Sequence, residues 1–300
     1  MNNNININDF GVLLADSARD ILGDGYCVEC KEIIKNNGVL YHAVVIRKSN
    51  INVAPTIYID EYYREYLSGK KIMAITDNVI RLYHENRGKG DFDVEFFNDF
   101  SKVCKHLSFK AVSLERNRQI LEDIPYRQIE DLAMIPICCV NSDVYGSGCI
   151  TIHNSHVKTW EISNEELWEN VFESTFNVAP VKISTISEQV GPVIGTDYDK
   201  VLDNILVVSN KEMRYGAGAV FYPGVLKMIS EKLGSDLIII PSSVHETIVM
   251  PSYLAGGNEY TLGKMIGEVN ESVVSDEEIL SDNAYYYSAE DEIVRIYAEK

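Results

Sequence analysis

The chain is short of positive charge. Its 300 residues hold 27 Lys and Arg against 45 Asp and Glu, a formal net charge of −18. Such a balance repels phosphate backbones and anionic lipid, so general nucleic-acid binding and electrostatic membrane anchoring are both disfavoured. Long apolar runs are missing as well. Leu237–Ile240 is cut off by Pro241, whereas a bilayer-spanning helix needs ~20 consecutive apolar residues. Residues 1–10 are polar and Asn-rich, without the basic start and apolar stretch of a secretory leader, so a cytoplasmic location is expected. The phosphate-binding loop G-x-x-x-x-G-K-[ST], the dinucleotide fingerprint and the G-x-S-x-G nucleophile elbow are all absent, and no cofactor is expected.

Cysteine is present in six places, 27, 30, 104, 138, 139 and 149. In a reducing compartment these read as free thiols and small buried hydrophobes. Cys27-x-x-Cys30 lies in an expected strand, where residues three apart point to opposite faces and do not converge on one ion. His153-x-x-His156 would be needed to complete a four-ligand set, and no second C-x-x-C exists, so no metal is expected.

What remains is an ordinary globular composition, 46% hydrophobic and 24% charged. Val12, Leu13, Ala18, Ile21 and Leu22 mark a helix that Gly23-Asp-Gly25 stops. Residues 26–34 and 39–47 flank Asn36-Asn-Gly38, a turn that tolerates positive φ and so predicts a hairpin. Residues 55–59 predict a third strand, and Asp60 is positioned to cap a Tyr-rich helix ending at Gly69. Helices are expected over 71–86 and over Phe97, Phe100, Cys104 and Leu107, with a loop at 87–91 and short helical structure over 114–121. Residues 132–140 and 148–153 read as paired strands about a turn at 142–146. Ser163-Asn-Glu-Glu166 and Ser275 with Glu278 have capping-box spacing. A loop is expected over 191–203 and strands at 205–208, 237–240, 247–250, 284–287 and 292–297. Residues 217–222 suit either pairing with the first of these or the start of the next helix, with pairing preferred, and helices are expected to follow Pro223 and to carry Leu262, Met265, Ile266 and Val269. Strands and helices mix without βα alternation, which predicts an α+β fold with mixed or antiparallel sheets. Two subdomains are expected, 1–125 and 126–300.

Several stretches resemble the bacterial domain-of-unknown-function 5688 family. They are Asn36-Asn-Gly-Val39, Pro55-Thr-Ile-Tyr-Ile-Asp60, Glu115-Arg-Asn117, Pro125-Tyr-Arg-Gln-Ile-Glu-Asp-Leu-Ala133, Val208-Ser-Asn210, Tyr222-Pro-Gly224, Ile240-Pro-Ser-Ser-Val-His-Glu246 and Leu280-Ser-Asp282. They run in order across nearly the whole chain. Gly216-Ala-Gly218 departs from the Gly-Ala-Ala often found in relatives. The resemblance implies an origin in anaerobic gut bacteria or mobile elements, and it carries no established activity.

Pro241-Ser-Ser-Val-His-Glu246 follows a strand, where loops often hold sites. Ser242 or Ser243 as nucleophile, His245 as base and Glu246 as its orienter would make a hydrolase or transferase. Neighbours so close in sequence rarely align that way, and a tight turn is the simpler expectation. In the second candidate, Ser209, Asn210, Lys211, Arg214, Gly216 and Gly218, glycines admit a close backbone approach and two cations counter an anion. Small residues under a packed helix explain the same glycines. Tyr126 and Arg127, beside Glu130 and Asp131, suit partner binding or the locking of two segments. With no complete catalytic signature, an acidic surface and 18 tyrosines, the favoured expectation is a non-enzymatic binding or regulatory protein. Its partner would be a basic protein, or a nuclease or DNA-binding protein met by mimicry of nucleic acid. The sequence assigns no oligomeric state.

Overall fold

The computed structural model describes residues 5–49, 51–87, 93–142, 146–190, 201–255 and 259–297. The loops expected at 87–91 and 191–203, and the turn at 142–146, fall largely on residues outside this set. The chain divides into two compact units, residues 1–94 with 141–148, and residues 95–140 with 149–300.

The first unit packs helices on a three-stranded antiparallel sheet, β1 (Tyr26–Ile34), β2 (Leu40–Lys48) and β3 (Thr56–Tyr58). Asn37 and Gly38 take φ of 60° and 72° at the hairpin tip, the left-handed region that Asn and Gly enter most readily. Helix α1 (Ile7–Leu22) starts where the Asn6 side chain accepts the Asp9 amide and stops at Gly23, φ 78°. Its apolar stripe, Phe10, Leu14 and Ala18, is buried with Val28, Val44, Ile46, Ile57, Ile75 and Val79. Helices α2 (Asp60–Leu67) and α3 (Ile72–Asn86) complete the unit. Asp60 does not cap α2: Ile59 holds that position. The Asp60 carboxylate instead accepts the His42 amide at 3.1 Å and faces His42 Nδ1 at 3.3 Å, so its charge ties the helix to β2.

The second unit holds two further antiparallel sheets. The larger has the order β13-β12-β10-β11-β9-β8. Its members are β8 (Val181–Thr185), β9 (Leu206–Asn210), β10 (Leu237–Pro241), β11 (Thr247–Pro251), β12 (Tyr285–Ser288) and β13 (Ile293–Ile296). The smaller sheet joins β4 (Leu107–Ser113), β6 (Leu132–Ser142) and β5 (Arg127–Ile129), with β7 (Gly146–Thr151) also on β6. Helices α4 (Val94–Asn98), α5 (Phe100–Val103), α6 (Arg118–Leu121), α7 (Asn154–Thr159), α8 (Asn164–Val178), α9 (Ile186–Val190), α10 (Val225–Leu233) and α11 (Glu259–Ser272) lie between the strands. Helix α8 begins where Ser163 Oγ accepts the Glu166 amide at 3.0 Å. It buries Leu167, Trp168 and Val171 in one core with Phe109, Val208, Ile239 and Tyr285. The class is α+β.

Three local expectations are corrected. The helix expected across 97–107 ends at His106, and Leu107–Ser113 is a strand paired with β6 from Leu107↔Cys138 to Ser113↔Leu132. Leu107, Phe109 and Ala111 alternate with Ser108 and Lys110, and both faces are nonetheless buried. That pairing places β4 in the same unit as β6, and the division of the chain falls at Val94/Glu95. Residues Gly216–Phe221 form a 3₁₀ helix rather than a strand. Ser275 makes no side-chain cap on the 3₁₀ turn Asp276–Glu278: the Glu278 amide donates to the Ser275 carbonyl at 2.8 Å, and the Glu278 carboxylate reaches His245.

Two glycines mark unusually close approaches. In the first unit, a Cβ on Gly11 would lie 2.3 Å from Cys30 Sγ and 3.1 Å from Ile59 Cδ1. Both obstacles are ends of side chains. Gly11→Ala should therefore lower stability despite the better helix propensity of alanine. Adding Cys30→Ala should recover it, with a coupling of at least about 1 kcal/mol in a denaturant double-mutant cycle. Strictly additive effects would contradict the packing.

Candidate functional site

In the second unit, antiparallel pairing of β9 with β11, Thr247↔Val208 to Val249↔Leu206, carries the end of β9 alongside the β10–β11 turn. The two polar connections singled out in the sequence therefore meet. Ser209 Oγ donates to the His245 carbonyl at 2.7 Å, and the Ala217 amide donates to the Val244 carbonyl at 3.2 Å. Asn210 closes its own loop: Nδ2 donates to the Arg214 carbonyl at 2.8 Å and Oδ1 accepts the Arg214 amide at 3.2 Å. The Lys211 amide donates to the Pro180 carbonyl at 2.8 Å. Tyr215 then enters the left-handed region at φ 50°, and Gly216 follows fully packed.

His245 holds this junction with both ring nitrogens. The Tyr215 amide donates to Nδ1 at 3.0 Å, and Nε2 lies 3.2 Å from Glu278 Oε1. An Nδ1 that accepts fixes the proton on Nε2, which then donates to Glu278. Ser243 Oγ accepts the His245 backbone amide at 3.0 Å. The Ser242 and Ser243 amides each donate to the Glu246 carbonyl at 3.3 Å. The carboxylate on the imidazole thus belongs to Glu278 rather than Glu246. The imidazole's hydrogen bonds go to a backbone amide and a carboxylate, not to a serine hydroxyl. A nucleophile–base pair uses such a serine contact; here the imidazole links the Tyr215 amide to the Glu278 carboxylate.

The junction also positions charge. The Tyr215 ring lies 5.5 Å from the His245 ring. Lys110 Nζ sits 4.9 Å and the Arg214 guanidinium 5.7 Å from the Tyr215 centroid. Beside these cations stand two thiols not singled out in the sequence, Cys139 on β6 and Cys149 on β7, with Sγ atoms 2.8 Å apart. Cys149 is exposed and Cys139 half-buried, while Cys138, one residue away, is buried. Burial pushes the Cys138 thiol up to about 12. The hydrogen bond from Cys139, helped by Lys110 and Arg214 against partial burial, pulls Cys149 down to about 7, and the same bond pushes Cys139 up. The expectation that the cysteines are small buried hydrophobes holds for Cys138 and not for this pair.

The remaining candidates lie apart from this junction. Tyr126 is exposed, and the Arg127 guanidinium lies over Trp168 and Phe172, 5.3 and 5.2 Å from their ring centroids. Asp131, rather than Arg127, locks segments together: its carboxylate accepts from Ser281 Oγ at 2.7 Å, Asn283 Nδ2 at 3.1 Å and Tyr285 Oη at 2.5 Å. His156 Nδ1 accepts the His153 amide at 3.1 Å and His153 Nδ1 faces Asp123 at 3.0 Å, so both histidines shape the start of α7. An open depression of about 520 Å³ beside α10 is lined by Lys227, Glu231, Asp236 and Glu292. Three of its charges are satisfied locally, Lys227 with Glu292 and Asp236 by Tyr286 Oη and the Ala289 amide. Among the described residues, no group of three or more His, Cys, Asp or Glu is arranged to hold a metal ion.

The run of matching motifs now has a fold and a site behind it. The profile of a family of unknown function, DUF5688, matches residues 7–289. The chain belongs to that family. No curated protein matches the chain, and no solved structure does. Within this DUF5688 protein, the conjunction of Ser209, Gly216 and His245 is where the connections of the C-terminal half come together.

A Cβ on Gly216 would lie 2.3 Å from Ser209 Oγ, 2.5 Å from the Asn210 nitrogen and 2.8 Å from the His245 carbonyl oxygen. Two of these obstacles are backbone. Gly216→Ala should destabilise the second unit by about 2–3 kcal/mol in denaturant titration. Ser209→Ala added to it should not rescue. Wild-type stability in Gly216→Ala would overturn the close approach.

Proposed function

We propose that this DUF5688 protein is a non-enzymatic binding or regulatory protein of the bacterial cytoplasm, with a basic protein as its partner. A link to mobile elements follows from the family resemblance. The observation that carries the reading is the occupation of His245. The strongest catalytic candidate in the sequence spends both ring nitrogens on holding the Tyr215 amide and Glu278, and its neighbouring serine serves its own backbone. A hydrolase or transferase centred on Ser242, Ser243, His245 and Glu246 would need that imidazole free for a hydroxyl proton. The net charge of −18 supplies long-range attraction for a cationic surface, which steers association and weakens with salt.

Affinity isolation of the tagged full chain from native bacterial lysate tests this. The expected result is one stoichiometric protein with a net positive charge, recovered at low ionic strength and lost progressively as salt rises. Repeated isolation without such a partner would count against the proposal. So would ester or phosphoester turnover by the wild type that disappears in Ser243→Ala while the fold is retained.

A further inference from the structure

We propose that Cys139 and Cys149 form a reversible dithiol–disulfide site, with Cys149 as the attacking thiol and Cys139 as the resolving one, and with a hydroperoxide as the oxidant. The inference stands independently of the binding reading. Its first support is register. The Ile152 amide donates to the Pro136 carbonyl at 3.0 Å, and in an antiparallel ladder paired residue numbers keep a constant sum, which sets Cys139 opposite Cys149. Three residues along from a bonded pair, these two occupy a non-hydrogen-bonded position, where Cα atoms are about 4.5 Å apart and side chains are closest. That separation lies within the range a disulfide spans, about 4.4–6.8 Å. The Sγ–Sγ distance of 2.8 Å shows the two side chains turned toward each other, so closing the bond needs no rearrangement of the strands.

The second support is asymmetry. Cys149 is exposed to a diffusing oxidant and Cys139 is half-buried behind it. Lys110 and Arg214, both stacked on Tyr215, supply positive charge on one side of the pair in a protein that is otherwise strongly acidic. A thiolate beside cations is the reactive form of cysteine, and a neighbouring thiol is what turns its oxidation into a reversible event. Alternation along β6 turns Cys138 to the opposite face from Cys139, into the core, so it does not compete. His245 enters as a positioning residue: by holding the Tyr215 amide it fixes the ring on which both cations rest.

The chemistry balances with hydrogen peroxide as the co-reactant. The Cys149 thiolate attacks one peroxide oxygen, the O–O bond breaks, and the departing hydroxide takes up a proton to leave as water. Cys149 is then a sulfenic acid. Cys139, giving up its proton, attacks the Cys149 sulfur. The S–S bond forms, the S–O bond breaks, and hydroxide leaves with that proton as a second water. Two thiols have been oxidised by two electrons and one peroxide reduced. An external dithiol reverses the bond by exchange.

The test uses the full chain, reduced, freed of reductant and exposed to hydrogen peroxide. Trypsin leaves Cys138, Cys139 and Cys149 together in residues 128–158. A second cleavage on the amino side of Asp143 separates the first two from the third unless they are bridged. The expected product is a joined pair of peptides lacking two hydrogens, cleaved by dithiothreitol and still formed in Cys138→Ser. Cys139→Ser should stop at a dimedone-trappable sulfenic acid on Cys149, and Cys149→Ser should form neither. The rate of Cys149 alkylation should rise with pH about a midpoint near 7. In Lys110→Met with Arg214→Met that midpoint should move toward the ordinary thiol value of about 8.5. An ordinary midpoint in the wild type, or a bridge that forms between molecules or through Cys138, would overturn the proposal.

Discussion

The polar end of the second unit depends on one close approach, the passage of Gly216 between Ser209, the Asn210 amide and the His245 carbonyl. Only a residue without a Cβ passes there. Because it does, the 3₁₀ segment Gly216–Phe221 can leave β9, cross the β10–β11 turn and run on against β4, where Gly218 again leaves only 3.2 Å between an added Cβ and the Ala111 nitrogen. Tyr215, forced into the left-handed region immediately before it, has its amide turned to His245. Burial of Gly216–Val220 makes the hydrogen bond from the Ala217 amide to the Val244 carbonyl costly to lose, since the freed groups would be left without water.

Much of the fold could be read from local chemistry. The Asn36-Asn-Gly38 hairpin, the stop of α1 at Gly23 and the Ser163 start of α8 each rest on a few adjacent residues whose preferences do not depend on the rest of the chain. The misread segments owe their structure to distant partners. Leu107, Phe109 and Ala111 alternate with Ser108 and Lys110, a strand pattern masked by the helical spacing of Phe100, Cys104 and Leu107 just before it, and β6 receives the strand. Strands β5 and β8 carry only one and two apolar residues, Ile129 and Val181 with Ile183, too few to set a period. Residues 217–222 have a strand-like composition, but the glycines on either side of Ala217 admit a tighter coil.

The candidate site was legible as a set of residues and not as a machine. Ser209, Asn210, Arg214, Gly216 and His245 stand out in the sequence and lie together in space. The second partner of His245, Glu278, lies 33 residues further on, and its only signal in the sequence is a capping spacing with Ser275 that points elsewhere. Cys139 and Cys149 did leave a trace. A hairpin turning over residues 142–146 is centred on 144, and positions equally far from that centre face one another. A cysteine stands at each end of one such pair, yet as separate letters the two resemble any small buried residues.

The stacking of Arg127 on Trp168 has an optical counterpart. Both tryptophans of the chain, Trp160 and Trp168, belong to the second unit. Each indole nitrogen donates to a backbone carbonyl, Trp160 to Phe97 at 2.9 Å and Trp168 to Pro125 at 2.7 Å. Indole emission is consequently a private signal of that unit. The first unit, with tyrosines such as Tyr26, Tyr63 and Tyr83 at its core, is silent at those wavelengths, and its melting has to be followed by near-ultraviolet dichroism of the phenols.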